Sequence, residues 1–338
     1  MSKNFQRYGR PRLPIVLGTG VALTLAIPLA VALGTSRFHL LEILTALLGK
    51  SANPLANQVI YNLRLPRVLT AVLVGMNLGV AGGILQGVLR NPLAAPHIIG
   101  VNAGAGLFAV VLMVLAPGKI VLIPPAAFVG ALLATLLVYG LSAGLGTTES
   151  SIQIVLAGVA VSAFLNAATQ ALMIAFSDQL PITYTWMAGS LSGRSWRHFR
   201  NLWPYSLSGL MLALVLAPRL NLLALGDEVA HSLGLSVRAH RAGAIFLAAW
   251  LAGSAVSVAG LVGFIGLIAP HAARLLVGED YRFLLPLSAF GGGLLLLLAD
   301  TAARTAFMPV ELPVGVLTAA LGAPFFLVLL LRHSRITA

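Results

Sequence analysis

The amino-acid sequence predicts an all-α polytopic membrane protein with about ten transmembrane helices. Three observations predict it. Of the 338 residues, 59% are hydrophobic and only 9% are charged, whereas a soluble domain carries about 25% charged residues. The mean hydropathy is +0.96. The apolar stretches run about twenty residues, the length of a spanning helix and twice that of a barrel strand. The chain has no cysteine, which excludes disulfides, thiolate metal sites and cysteine nucleophiles. The net charge of +12 reports membrane orientation and anionic partners in a chain of this class, not nucleic acid.

Residues 1–12 are polar and basic, with Lys3, Arg7, Arg10 and Arg12, and the apolar run 13–33 follows. A cleaved signal peptide has a shorter apolar core, about 7–15 residues, so this run reads as a retained first span behind a cytoplasmic N-terminus. Residues 34–62 read as an external connection with a weakly amphipathic piece at 40–48. Gly49-Lys50-Ser51 matches the end of a phosphate-binding loop, but the glycine required five positions earlier is Leu44, so the motif fails and no nucleotide site is found.

The second span, 66–88, is the stretch around which the chain is organised. Arg64 and Arg67 precede it, and a polar break from Gln86 to Pro96 ends it. Val68 to Leu85 is 18 residues without a charge. Gly75, Gly79, Gly82 and Gly83 recur near helical spacing, leaving one face almost bare of side chains, which suits close helix packing inside a bundle.

The remaining spans are 98–115, 120–141, 152–176, 202–217, 242–259, one from 263, 284–303 and 314–331. Asn166, Thr169 and Gln170 are polar positions at membrane depth in the fifth span, where such residues face a neighbouring helix or a cavity. Residues 177–201, with Pro181, Gly189, Gly193 and a cluster of Arg194, Arg197, His198 and Arg200, read as too broken to span. Residues 218–241 form the longest later polar segment. Pro270-His271 reads as an interruption of the eighth span, and a lone histidine there reads as a structural hydrogen-bond partner before a metal ligand. Asp300 and Arg304 lie four apart, a spacing that allows an intrahelical ion pair. Both termini fall inside. The inside bias of Lys and Arg is slight, because Arg64, Arg67, Arg194, Arg197, Arg200 and Arg304 all fall outside, against the usual rule. An acidic partner protein or an anionic substrate would give those arginines a task.

An ordered set of short motifs covers nearly the whole chain. It runs through Arg64-Leu65-Pro66-Arg67, Gln86, Arg90-Asn91-Pro92-Leu93-Ala94, Leu156-Ala157-Gly158-Val159, Gly189-Ser190-Leu191, Leu225-Gly226-Asp227, Ser232-Leu233-Gly234, Gly263-Phe264-Ile265-Gly266-Leu267, Pro270-His271, Leu298-Ala299-Asp300 and Glu311-Leu312-Pro313-Val314-Gly315. Each motif alone is weak; in this order the set resembles the FecCD-type permeases of type II ABC importers, which take up iron-siderophores, haem and cobalamin. The resemblance implies a type II ABC importer permease fold of ten helices, residues 1–338 forming one transmembrane domain. Residues 1–12, 218–241 and 332–338 would be cytoplasmic.

The resemblance also implies partners and sites. A second permease subunit, two ATPase subunits and a periplasmic or lipid-anchored substrate-binding protein are expected, in a bacterial cytoplasmic (inner) membrane. ATP and Mg would sit on the ATPase, with no cofactor, catalytic residue or metal in this chain. Arg64, Arg67 and Arg304 match external positions where acidic residues of a binding protein dock. Leu225, Gly226, Asp227, Ala230, Leu233 and Gly234 match the cytoplasmic loop that couples to the ATPase. Asn91, Leu93, Ser150 and Ser151 match the cytoplasmic gate, while Asn166, Thr169 and Gln170 are pathway candidates. The cargo implied first is a ferric siderophore, because the stretch from Gly189 to Trp196 is most similar to siderophore members, then haem, then cobalamin. An ion-gradient-driven secondary transporter is the competing class. Such proteins carry acidic residues within spans, and here only Asp300 is a candidate.

Overall fold

The structure, a computed structural model, describes residues 12–34, 38–48, 50–144, 151–307 and 310–337. Its α-helices are α1 (Arg12–Ala32), α2 (Leu40–Leu47), α3 (Pro54–Ala56), α4 (Leu65–Val88), α5 (Val101–Leu115), α6 (Ile123–Gly144), α7 (Ser151–Ala175), α8 (Leu180–Met187), α9 (Trp196–Ala224), α10 (Asp227–Ser232), α11 (Val237–Ala259), α12 (Ile265–Val277), α13 (Tyr281–Thr305) and α14 (Val314–Thr337). Among the described residues, seven helices are long and apolar enough to cross a membrane. Three shorter apolar helices, Val101–Leu115, Ile265–Val277 and Val314–Pro324, bring the total to the ten spans expected.

The centre is α4, enclosed by α13, α11, α9 and α12. The glycines make that enclosure possible. A Cβ added at Gly75 would strike the Gly292 carbonyl of α13, one at Gly79 the Ser288 carbonyl, and one at Gly82 the Gly266 carbonyl of α12. Backbone therefore meets backbone along a full face of α4. Gly266 is four residues before Pro270, which has no N–H to give it, so the carbonyl that proline leaves without its helical partner lies against Gly82. In mid-span the buried Asn77 donates to Ser206 of α9 at 2.8 Å and to Ser254 of α11 at 3.0 Å, tying three helices together where water is excluded.

Several boundaries differ from the sequence reading. The second span begins at Pro54, not at residue 66, and runs unbroken to Val88. Asn53 caps it, accepting from the Leu55 and Ala56 N–H groups, and Asn57–Arg64 is π-helical. There the Leu65 N–H reaches Ile60, five residues back, and this wider winding carries the helix into Pro66. Residues 177–201 contain α8 and the start of α9, because Ser195 and His198 form a capping box that outweighs the local charge. Pro270 lies inside α12 without interrupting it. Residues 218–224, read as loop, complete α9.

Replacing Gly82 by Ala forces α4 away from α12 and should destabilise the fold by about 1–3 kcal/mol. The same change at Gly140, whose Cβ would meet open space, should be neutral or stabilising by up to about 1 kcal/mol. Thermal unfolding of the two detergent-purified variants checks the contrast.

Candidate functional site

The polar chemistry gathers at the two ends of the bundle. At the end that the sequence reading places outside, α1 finishes with carbonyls that no helical N–H can reach. Arg64 fills two of them, donating to Val31 at 3.1 Å and Ala32 at 3.2 Å. Arg304 of α13 fills two more, donating to Leu33 at 2.8 Å and to Ala30. Cations at a helix C-terminus also complement its dipole. Both side chains are buried, each residue only 7% exposed. A Cβ at Gly34 would collide with the Arg64 guanidinium, so the chain leaves α1 through glycine.

Beside this clamp, Asp300 is fully buried. Arg67 holds it with both nitrogens of its fork, Nε at 3.0 Å from Oδ2 and Nη2 at 2.9 Å from Oδ1. The remaining Arg67 Nη1 donates to Glu311 at 2.8 Å, fastening the approach to α14. Arg304 Nε lies 4.0 Å from Asp300, so the intrahelical pair expected from the sequence is the weaker contact. Arg194, in the turn before α9, donates to the Ser190 carbonyl at 3.3 Å. Burial first, then the charge of Arg67, pushes its guanidinium pKa down. Burial raises the Glu311 carboxyl, but the Arg67 hydrogen bond and charge outweigh it and hold the group below the usual range. Four guanidiniums against two carboxylates leave this end net positive. Arg197 and Arg200 add exposed charge on the first turns of α9.

The expectation that Arg64, Arg67 and Arg304 stand ready at the external surface therefore needs correction. Their guanidiniums are committed within the chain, because a buried cation must find carbonyls or carboxylates nearby. Arg197 and Arg200 are exposed; the sequence reading counted them among the external arginines without singling them out for docking.

At the opposite end, which the sequence reading places inside, α4 is capped at Leu89. Asn91 bends the chain back, its side chain accepting from the Leu93 N–H at 2.9 Å and its carbonyl from Ala94 at 3.0 Å. Ser151 opens α7, and Ser150 lies outside the described residues. Further along α7, Gly158 lies against the Ile98 carbonyl. Thr169 is buried and turns its hydroxyl onto its own helix, at 2.8 Å from Leu165 O. Asn166 and Gln170 are exposed one turn apart on α7, which packs on α5 and α6 and leaves its other side open.

Between α9 and α11, α10 forms a short elbow. Gly226 and Gly234 bound it with φ of 109° and 83°, a region that favours glycine. Ala230 is buried against the bundle, while Leu225, Val229 and Leu233 are 60%, 45% and 59% exposed. Val229 and Leu233 lie one turn apart, and Leu225 stands just before Gly226 at the end of α9; Val229 is the one the sequence reading missed. Asp227 accepts from buried Arg241 at 2.6 Å and lies 3.5 Å from Arg90. Nearby, Asp280 caps α13 and accepts from Asn221 at 2.9 Å. The Arg282 side-chain hydrogen bond holds its carboxyl well below the usual range, with help from Asn221. Among the described residues, no group of three or more His, Asp or Glu is placed to hold a metal ion.

A buried arginine clamp at one end, a glycine-packed central helix and an exposed apolar elbow at the other end thus share one bundle. The profile of the FecCD transport family matches residues 22–332. The chain belongs to that family. It is 38% identical to the Fe(3+)-citrate import permease YfmE of Bacillus subtilis (strain 168), over 99% of each chain. It is 40% identical to the hemin transport permease HmuU of Yersinia pestis, over 89% of this chain and 92% of that one. Among solved structures, a chain described as of metal-chelate ABC transporter type, in an inward-facing conformation, superposes with a TM-score of 0.85. It is 30% identical and covers 94% of this chain and 99% of that one. The FecCD protein is accordingly a multi-pass permease subunit of an ABC importer for iron chelates, haem or cobalamin. It is not itself an enzyme; it works with a partner permease subunit and a separate ATPase.

Replacing Asp300 by Asn leaves the Arg67 and Arg304 guanidiniums without their buried counter-charge and should cost about 3–5 kcal/mol. Replacing Glu311, 44% exposed at its side chain, by Gln should cost less than about 1 kcal/mol. Chemical unfolding of the two variants in the same detergent checks the ranking.

Proposed function

We propose that this chain forms a single transmembrane domain that imports an anionic ferric chelate of the siderophore class across a bacterial cytoplasmic membrane. Haem is the second cargo in order and cobalamin the third. A substrate-binding protein delivers the cargo, and ATP with Mg, held wholly by the partner ATPase, drives it. The observation that carries the reading is the exposure of Leu225, Val229 and Leu233 on and beside α10. Three large apolar side chains on a two-turn elbow outside the bundle fit a groove in a partner better than they fit water. Gly226, Asp227, Ala230 and Gly234 give that elbow its shape.

At the external end the binding protein's carboxylates meet Arg197 and Arg200, with Arg194 set deeper. Arg64, Arg67 and Arg304 serve this docking from beneath by fixing α1, α4, α13 and the start of α14. Positive charge here also suits anionic cargo. Asn166 and Gln170, on the open side of α7, line the pathway once the second permease subunit covers that face, with Thr169 supporting the helix behind them. Asn91, Leu93, Ser150 and Ser151 form the cytoplasmic gate. Asp300, the acidic group an ion-coupled carrier would need, is enclosed by arginines, which argues against proton coupling.

Reconstitution with the cognate ATPase and binding protein tests the proposal. Uptake should need ATP and be indifferent to collapse of ion gradients. Replacing Leu233 by Asp should weaken ATPase association at least tenfold, read by co-purification, and replacing Gly234 by Leu should do the same. Gradient-driven uptake without ATP, or full assembly of both variants, overturns the reading. Replacing Arg197 and Arg200 by Glu should lower binding-protein affinity most at low salt.

A further inference from the structure

The end of α4 holds an unexpected side chain. The Arg90 N–H reaches the Gly87 carbonyl at 3.3 Å, and the Asn91 N–H reaches the Gln86 carbonyl at 3.1 Å. These are the paired bonds of a Schellman helix terminus, whose left-handed residue is ordinarily glycine. Here it is Arg90, with φ of 48°. Only one other non-glycine among the described residues, Phe264, has positive φ. A left-handed arginine carries backbone strain that glycine would not.

Its side chain explains where it is directed. Arg90 Nη2 lies 3.5 Å from Asp227 Oδ1, and Arg90 Nη1 lies 3.2 Å from the position a Cβ would take on Gly226. The residue that ends α4 thus rests on the N-terminus of α10. Asp227 is held from the other side by Arg241 of α11, which is only 4% exposed at its side chain. Both Arg90 and Asp227 are more than 40% exposed at their side chains. A pair so hydrated contributes little stability, so the bond does not account for a strained residue on grounds of stability alone. What it does achieve is a direct link between α10 and the turn carrying Asn91, Pro92 and Leu93.

We propose that Arg90 is a positioning residue that transmits displacement of α10 to the gate turn, through Asp227 shared between α4 and α11. The inference rests on the reading of α10 as the ATPase-contacting elbow. A push on α10 moves Asp227, and with it the Arg90 side chain. Because Arg90 is the last residue of the α4 terminus, that pull acts on the turn without an intervening flexible loop. The strain makes the terminus less committed to its present conformation than a glycine terminus would be.

Arg90→Gly relieves the backbone and removes the link together, whereas Arg90→Lys keeps the left-handed side-chain-bearing residue and the cation. A chain without cysteine allows single-site labels. A bimane fluorophore on Leu93→Cys reports the gate turn, and a benzophenone on Glu228→Cys reports contact of α10 with the ATPase. Both are measured in the assembled permease–ATPase complex, on addition of ATP and vanadate. The expected results are an ATP-dependent bimane shift in the parent, at least a fivefold smaller shift with Arg90→Gly, and ATP hydrolysis retained within twofold. The melting temperature of Arg90→Gly should equal or exceed the parent's, and Arg90→Lys should keep most of the shift. A silent parent reporter, or an unchanged shift with Arg90→Gly, overturns the link. So does a smaller shift that accompanies a lower melting temperature, which assigns Arg90 a structural role only. If cross-linking from position 228 reaches the ATPase while the shift is unchanged, the link fails and the elbow assignment stands. If cross-linking is absent, the elbow assignment fails and takes the link with it.

Discussion

Backbone-to-backbone contact along α4 is the constraint on which the rest of this structure depends. In a bilayer there is no hydrophobic drive to bring one apolar helix to another, so close packing and polar contacts must do it. Gly75, Gly79 and Gly82 remove the side chains that would hold α13 and α12 away. Asn77 then adds hydrogen bonds to α9 and α11. Four helices are fixed on one, while α1 and α7 keep broad faces open.

That arrangement also connects the two polar ends. Arg67 lies in the first half of the helix that begins at Pro54, and Arg90 follows its other end. Arg67 secures α13 through Asp300 and the α14 approach through Glu311, while Arg90 meets the elbow between α9 and α11. A helix packed by backbone contact has little room to bend. Movement imposed at one end is carried to the other as displacement of the whole rod, provided that its glycine contacts let it slide against α12 and α13.

The ten spans were legible in apolar run length and glycine spacing, and the elbow through the ordered motifs that resemble the family, with Gly226 and Gly234 permitting its turns. Local pattern also misled. The charges of Arg197 and Arg200 hid the first turns of α9, since a capping box of Ser195 and His198 is a weaker signal in composition than two arginines. The π-helical turn before Pro66 was invisible, because a proline preceded by polar residues reads as a helix start. The destinations of Arg64 and Arg304 lay furthest from reach. Their partners are main-chain carbonyls more than thirty residues away in one case and over two hundred and seventy in the other, and a carbonyl has no sequence signature.

Those destinations resolve the weak positive-inside bias. The rule describes arginines that compete for the cytoplasmic surface while free in a loop. Arg64 and Arg304 are buried in the folded bundle and Arg67 is partly buried, and their charge is spent on the end of α1, on Asp300 and on Glu311. A guanidinium offers five donors in a planar fork, enough to satisfy two carbonyls or one carboxylate and still reach another group. Lysine, a point charge with no fork, could not join α1, α4 and α13 with so few residues. The external excess of arginine is therefore first a fastening of helix ends. Only the charge left after that fastening, on Arg194, Arg197 and Arg200, remains to give the outer face its field.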